Sequence, residues 1–151
     1  MAYNTNGYGY STYKEISIKT ASQGKLIVML YQAAVNNLEE AIAMIDDNGK
    51  IEACNIESFG SHVQKAEDII SELQVSLDME IGGEFAKNLM SLYVYFNKEL
   101  LDASIKHDKK KLSFICKELK ELRDSWEIAA NSTANTQASI PVDRPVVNIT
   151  G

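Results

Sequence analysis

The strongest constraint on this chain is what its middle lacks. Between residues 20 and 130 there is no proline, and apolar residues recur there at spacings of three and four almost without a break. Proline removes a backbone donor and ends helices, so a long proline-free stretch with this period reads as consecutive amphipathic helices rather than strands. Both prolines, Pro141 and Pro145, fall in the final segment. Three regions follow: an arm at residues 1–19 with Tyr3, Tyr8, Tyr10 and Tyr13, a helical domain at 20–130, and a Ser/Thr/Asn-rich tail at 131–151. A chain of 151 residues fits one domain with one core.

The spacing predicts four helices. The first starts at Thr20, whose hydroxyl pairs with Gln23 in a capping box, and its stripe is Leu26, Leu30, Ala34, Leu38, Ala41 and Ile45. Gly49 is suited to a left-handed cap after it. The second carries Ile56, Phe59, Val63, Ala66, Ile70, Leu73 and Leu77. Gly60 within it costs about 1 kcal/mol relative to Ala, which suggests a close backbone approach there. After a break over Asp78–Gly83, the third presents Phe85, Leu89, Leu92, Phe96, Leu100 and Ala103 and ends near His107. Asp108 caps the fourth, whose stripe is Leu112, Ile115, Leu119, Leu122, Trp126 and Ala129. Short connections make sequential helices antiparallel, so the fold class is all-α, an up-down-up-down four-helix bundle.

Catalytic chemistry is hard to find in this pattern. Di-iron bundles need Glu three residues before each ligating His, but Phe59 precedes His62 and Ser104 precedes His107. Ser61 and His62 are adjacent on a helix and point about 100° apart, with no nucleophile elbow around them. Gly82-Gly83-Glu84 lacks the Lys-Ser/Thr of a phosphate loop. Cys54 and Cys116 have no metal or redox spacing and form no disulfide framework. The net charge of −6 argues against nucleic-acid binding and against docking on anionic membranes, and Lys109-Lys110-Lys111 reads as a solvated corner. The most apolar run, Leu26 to Val35, is about half a membrane span, and the first residues show no export signal. The expectation is a soluble cytoplasmic bundle, with no cofactor, no metal and no enzymatic activity, that works by binding.

Two stretches and a short motif give the chain a resemblance. Thr20-Ala21-Ser22-Gln23-Gly24-Lys25-Leu26-Ile27-Val28-Met29-Leu30-Tyr31 is similar to the opening of the first long helix in the flagellar secretion chaperone family, FliS. Ser76-Leu77-Asp78-Met79-Glu80 with Gly82-Gly83-Glu84, then Ala86, Asn88-Leu89 and Leu92-Tyr93, resembles that family's central turn and third helix. Leu122-Arg123-Asp124-Ser125-Trp126 resembles its Leu-Arg-Asp-x-Trp motif. The chain departs from the pattern at Gln23, where the family usually has Pro, and at Gln32, where it usually has an acidic residue.

The resemblance implies an antiparallel four-helix bundle with a small N-terminal cap. It implies a chaperone that holds the disordered C-terminal segment of flagellin in the bacterial cytoplasm, prevents premature polymerisation and assists delivery to the type III export apparatus, with the export gate as a further partner. A helical client needs apolar grooves, and two helices carry more apolar residues than one buried face uses. The flagellin-binding candidates are Tyr10, Tyr13 and Ile16 in the arm, Ile27, Met29 and Tyr31 on the first helix, and Met90, Tyr93 and Val94 on the third. Thr20, Gly82, Gly83, Arg123 and Trp126 are structural candidates, with Arg123 expected to pair with a carboxylate or a helix end. Alternatives stay open: the apolar surplus could close a homodimer or larger self-assembly, the bundle could be an enzyme with an unrecognised cofactor, and the arm could be a displaceable cover or a plain hydrophobic staple.

Overall fold

A computed structural model of the chain describes the backbone of residues 23–139 and the side chains of 23–132. The Thr20 cap, the arm and the tail beyond Ser139 lie outside the described residues. Among the described residues four α-helices, α1 (Gln23–Ala43), α2 (Ile56–Ser76), α3 (Met79–Lys106) and α4 (Lys109–Ser139), make up the fold, with a 3-10 turn at Ala53–Asn55 before α2. Helix α1 packs extensively on both α2 and α4, while α3 closes the ring with smaller contacts to the same two helices. Among the described residues the only extended pairing is an isolated bridge between Ile45 and Ile51.

The expected stripes supply most of the core. Leu26, Leu30, Ala34, Leu38, Ala41 and Ile45 are buried, as are Phe59, Val63, Ala66, Ile70 and Leu73 of α2 and Leu112, Ile115 and Leu119 of α4. Burial of this apolar area, at roughly 25 cal/mol per Å2, is what makes helices of this length stable. Polar links fix neighbouring helices in register. Lys120 pairs with Glu39 at 2.7 Å between α4 and α1, and Lys111 holds Glu99 at 2.8 Å and Asp102 at 2.6 Å between α4 and α3. Bonds from Lys111 and then Lys106 hold the Asp102 carboxyl below the usual carboxylate range.

Several boundaries differ from expectation for local reasons. Helix α1 stops at Ala43, because Asp46 Oδ1 accepts from the backbone N–H groups of Asn48 and Lys50 and builds a tight turn of its own. Gly49, at φ 77°, serves that turn and does not cap α1. A Cβ on Gly60 would meet nothing within 4 Å, so no close backbone approach explains this glycine. Ile56 is exposed at the start of α2. Helix α4 continues past residue 130 to Ser139, and Ala130 rather than Ala129 is buried. A strict 3.5-residue stripe drifts around a straight helix, so the last inward position moves one residue on.

The α2–α3 corner is built as the break predicted. Asp78 caps α3, its Oδ1 accepting from the N–H groups of Glu80 and Ile81, and Gly83 interrupts the helix at φ 55°, ψ −130°. A Cβ on Gly82 would stand 2.5 Å from the Ala86 Cβ. His107, left-handed at φ 54°, ends α3 with its ring edge-on to Phe59, and Asp108 then caps α4 by accepting from Lys111 N–H.

Candidate functional site

The flagellin-binding candidates do not share one surface. Tyr31 of α1 and Tyr93 of α3 lie in the core, at 0% and 1% exposure, and their hydroxyls hydrogen-bond to each other. Aromatic bodies fill the bundle centre while each hydroxyl satisfies the other, so neither needs solvent. Burial pushes the Tyr31 hydroxyl up to about 12, against the opposing hydrogen bonds of Tyr93 and Trp126, and pushes Tyr93 higher still. Ile27 packs against the core and Met29 is partly buried, both on α1. Tyr10, Tyr13 and Ile16 lie outside the described residues.

Met90 and Val94 are different, since they point away from the core stripe of α3. Met90 is partly buried with its sulfur 3.5 Å from Gln74 Nε2 of α2, and Val94 is 52% exposed. Further along the same face stand Leu101 and Ile105, also exposed. Their spacings of seven and four put Val94, Leu101 and Ile105 on one stripe, opposite Leu89, Tyr93, Phe96, Leu100 and Ala103. Leu101 and Ile105 escape a reading that follows only the inward stripe of the helix. The signal that marks them is a second period of three and four on the same segment, with Lys98 inside it.

Arg123 and Trp126 lie at contacts between helices. Arg123 Nη1 donates to Gln32 Oε1 of α1 at 3.0 Å, and its Nε and Nη2 meet Asp124 Oδ1 at 3.0 Å. Trp126 is partly buried, packs against the core, and meets the exposed Phe85 ring at 6.4 Å. His62 Nδ1 donates to Asn37 Oδ1, 2.9 Å away, across the α1–α2 interface. Burial raises the Cys116 thiol, while Cys54 is exposed. Among the described residues, no group of His, Cys, Asp or Glu is placed to hold a metal ion, and no helix is long and apolar enough to cross a membrane.

A bundle of four long antiparallel helices, the third of which leaves Val94, Leu101 and Ile105 exposed, belongs to the all-α four-helix-bundle class. The family model "Flagellar protein FliS" matches residues 5–133. The chain belongs to the FliS family. It is 31% identical to the flagellar secretion chaperone FliS of Vibrio cholerae over 119 residues, covering 76% of this chain and 83% of that one. It is 28% identical to the Bacillus subtilis protein of the same name, over 82% of this chain and 86% of the relative. With the Escherichia coli protein of that name the identity is 31%, over 75% and 79%.

Proposed function

We propose that the chain is a cytoplasmic flagellar export chaperone whose client is the C-terminal segment of flagellin. It keeps that segment from polymerising and presents it to the export gate. The observation that carries the reading is the stripe of Val94, Leu101 and Ile105, which the bundle leaves in solvent. A segment that is disordered when free costs several kcal/mol to order, and apolar contact along a groove is the term able to offset that. Met90 extends the stripe along α3, and Ile27 and Met29 of α1, with Tyr10, Tyr13 and Ile16 of the arm, are further candidate contacts for the client in this reading. Binding is the whole activity in this reading, with no chemistry at any residue.

The test is titration of the full chain with a flagellin C-terminal peptide. Leu101→Asp and Val94→Asp sit on the surface and should change stability by no more than about 0.5 kcal/mol. Each should weaken the peptide by an order of magnitude or more, since a charge would have to be desolvated in the complex. Undiminished binding in both variants, or none by the full chain, would overturn the assignment. The second reading, self-assembly through the same stripe, rests on that same exposure. Light scattering separates the two: a client complex is one-to-one, whereas an assembly persists and ignores the peptide.

A further inference from the structure

The connection between α1 and α2 carries an Asn-Gly pair, Asn48-Gly49, that the chaperone reading does not use. Both residues are exposed, and the Asn48 carboxamide makes no hydrogen bond among the described residues. Before Gly, an Asn side chain meets the following backbone nitrogen with the least hindrance, because Gly places no side chain beside that nitrogen. Exposed turns of small and polar residues are also where a folded chain opens most readily.

The turn holds that nitrogen back. Gly49 N–H donates to the Asp46 carbonyl oxygen at 2.9 Å, and Asp46 N–H donates to the Lys50 carbonyl oxygen at 2.9 Å. The Asp46 carboxylate adds two bonds through Oδ1, from Asn48 N–H at 2.9 Å and from Lys50 N–H at 2.8 Å. One residue thus pins the pair from both sides. For the Gly49 nitrogen to reach the Asn48 side chain it must lose its proton and leave the Asp46 carbonyl, so the turn has to open first. Bonds to a carboxylate are stronger than those between neutral groups, so Asp46 raises the cost of opening.

We propose that Asn48 is a site of deamidation and that the Asp46 turn gates it. In the opened turn the Gly49 nitrogen, its proton lost to a solvent base, bonds to Asn48 Cγ. The side-chain nitrogen takes a proton from water and leaves as ammonia. The cyclic imide then takes up water, which breaks either of its two carbonyl–nitrogen bonds. Cleavage at Cγ leaves Asp at position 48, whereas cleavage at the main-chain carbonyl leaves an isoaspartyl linkage with one more methylene in the backbone. Nothing is oxidised or reduced, and water is the sole co-reactant. Either product sets a new carboxylate beside Asp46 and Asp47, and the isoaspartyl one stretches the ring of bonds that Asp46 closes to Gly49 and Lys50. That ring leads into Ile45, which bridges to Ile51 and accepts from Lys109 Nζ, so the change loosens the joint of α1 with the α1–α2 connection and with α4.

Peptide mapping by mass spectrometry tests this, with fragmentation assigning each conversion to its residue. The full chain is aged at mildly alkaline pH, folded in buffer and unfolded in guanidinium chloride. Asn48 should convert in both, about tenfold more slowly in the folded chain, because only the opened fraction reacts. In Asp46→Ala, shown by circular dichroism to stay helical and scaled to its own unfolded rate, this protection should fall about threefold or more. Asp46→Ser, whose hydroxyl still offers an acceptor, should fall between the two. The converted chain should unfold at a lower urea midpoint than the unconverted one. Absence of conversion at Asn48 over the time in which Asn6-Gly7 converts in the unfolded chain overturns the site. Equal rates in the folded and unfolded chain, or full protection retained in Asp46→Ala, overturns the gate. No readout uses the flagellin peptide, so the inference stands or falls apart from the proposed function.

Discussion

Removing one hydroxyl from the buried tyrosine pair should harm the fold more than removing both. In Tyr31→Phe the Tyr93 hydroxyl stays at 1% exposure without its Tyr31 partner. An unsatisfied buried polar group costs about 1–3 kcal/mol, so about 2 kcal/mol is expected. In Tyr93→Phe the Tyr31 hydroxyl is likewise left at 0% exposure without its Tyr93 partner, and a loss of about 2 kcal/mol is expected. The double variant Tyr31→Phe/Tyr93→Phe leaves an apolar contact of similar shape, with a net cost of about 0–1 kcal/mol. Urea unfolding measures this as a change in midpoint at constant slope, and 2 kcal/mol is roughly 1 M of urea for a chain of this size. Single effects that simply add up in the double variant would refute the reasoning, because additivity means the two hydroxyls are uncoupled. The pair also sets an alkaline limit. Tyr31 is raised from 10.0 to about 12 in the fold, so its contribution is complete below pH 10 and is lost as pH rises from there through about 12. The loss is about 1.4 kcal/mol per pH unit for each such tyrosine, and the double variant should lack it.

Gly60→Ala should stabilise the bundle by about 0.5–1 kcal/mol in thermal unfolding, since the helix gains propensity and the added methyl meets nothing within 4 Å. Gly82→Ala should destabilise it by about 1–3 kcal/mol, because the new Cβ would stand 2.5 Å from that of Ala86 and neither atom can rotate away. Gly83→Ala should cost about 1–3 kcal/mol through backbone strain at φ 55°, with the loss confined to α3 by circular dichroism and hydrogen exchange. Gln32→Glu should convert the neutral acceptor of Arg123 into a charged one and stabilise the fold by about 0.5 kcal/mol at low salt. Pairing lowers the carboxyl's folded pKa, so this gain is present above the unfolded value of about 4.3, is lost as pH falls through the folded one, and fades in about 1 M salt.

The helix count, the pairing order and three of the four core stripes were legible because periodicity alone decides which face goes inward. In α3 it could not decide. Leu89-Leu92-Phe96 and Leu89-Tyr93-Phe96 are both runs of three and four, and the second is the buried one. What selects it is the Tyr31 hydroxyl waiting on α1, a partner 62 residues away that no local pattern contains. The same absence hid the exposure of Phe85, which follows the turn at Gly83 and rests on Trp126 from outside. The early end of α1 was hidden too, because it depends on the Asp46 turn and on Lys109 Nζ, distant in sequence at the start of α4, donating to the Ile45 carbonyl oxygen at 2.8 Å. Of the candidate binding residues, Val94 is exposed and Met90 partly buried, while Tyr31 and Tyr93 lie in the core with their hydroxyls joined, a pairing across 62 residues that no local pattern shows.

The uneven packing of the ring bears on how the molecule opens. Helix α1 is clasped along its length by two neighbours, whereas α3 touches its two more lightly and carries seven of the large exposed apolar residues. Its polar ties to α2 include Gln74 Nε2 against the Met90 sulfur and the Asn97 amide, which donates to Ser71 Oγ at 3.2 Å while its own Oδ1 is buried without a partner among the described residues. Detaching α3 therefore forfeits less than detaching any other helix. Partial unfolding should begin there, with α1, α2 and α4 persisting as a three-helix remnant whose amides exchange only at the global rate.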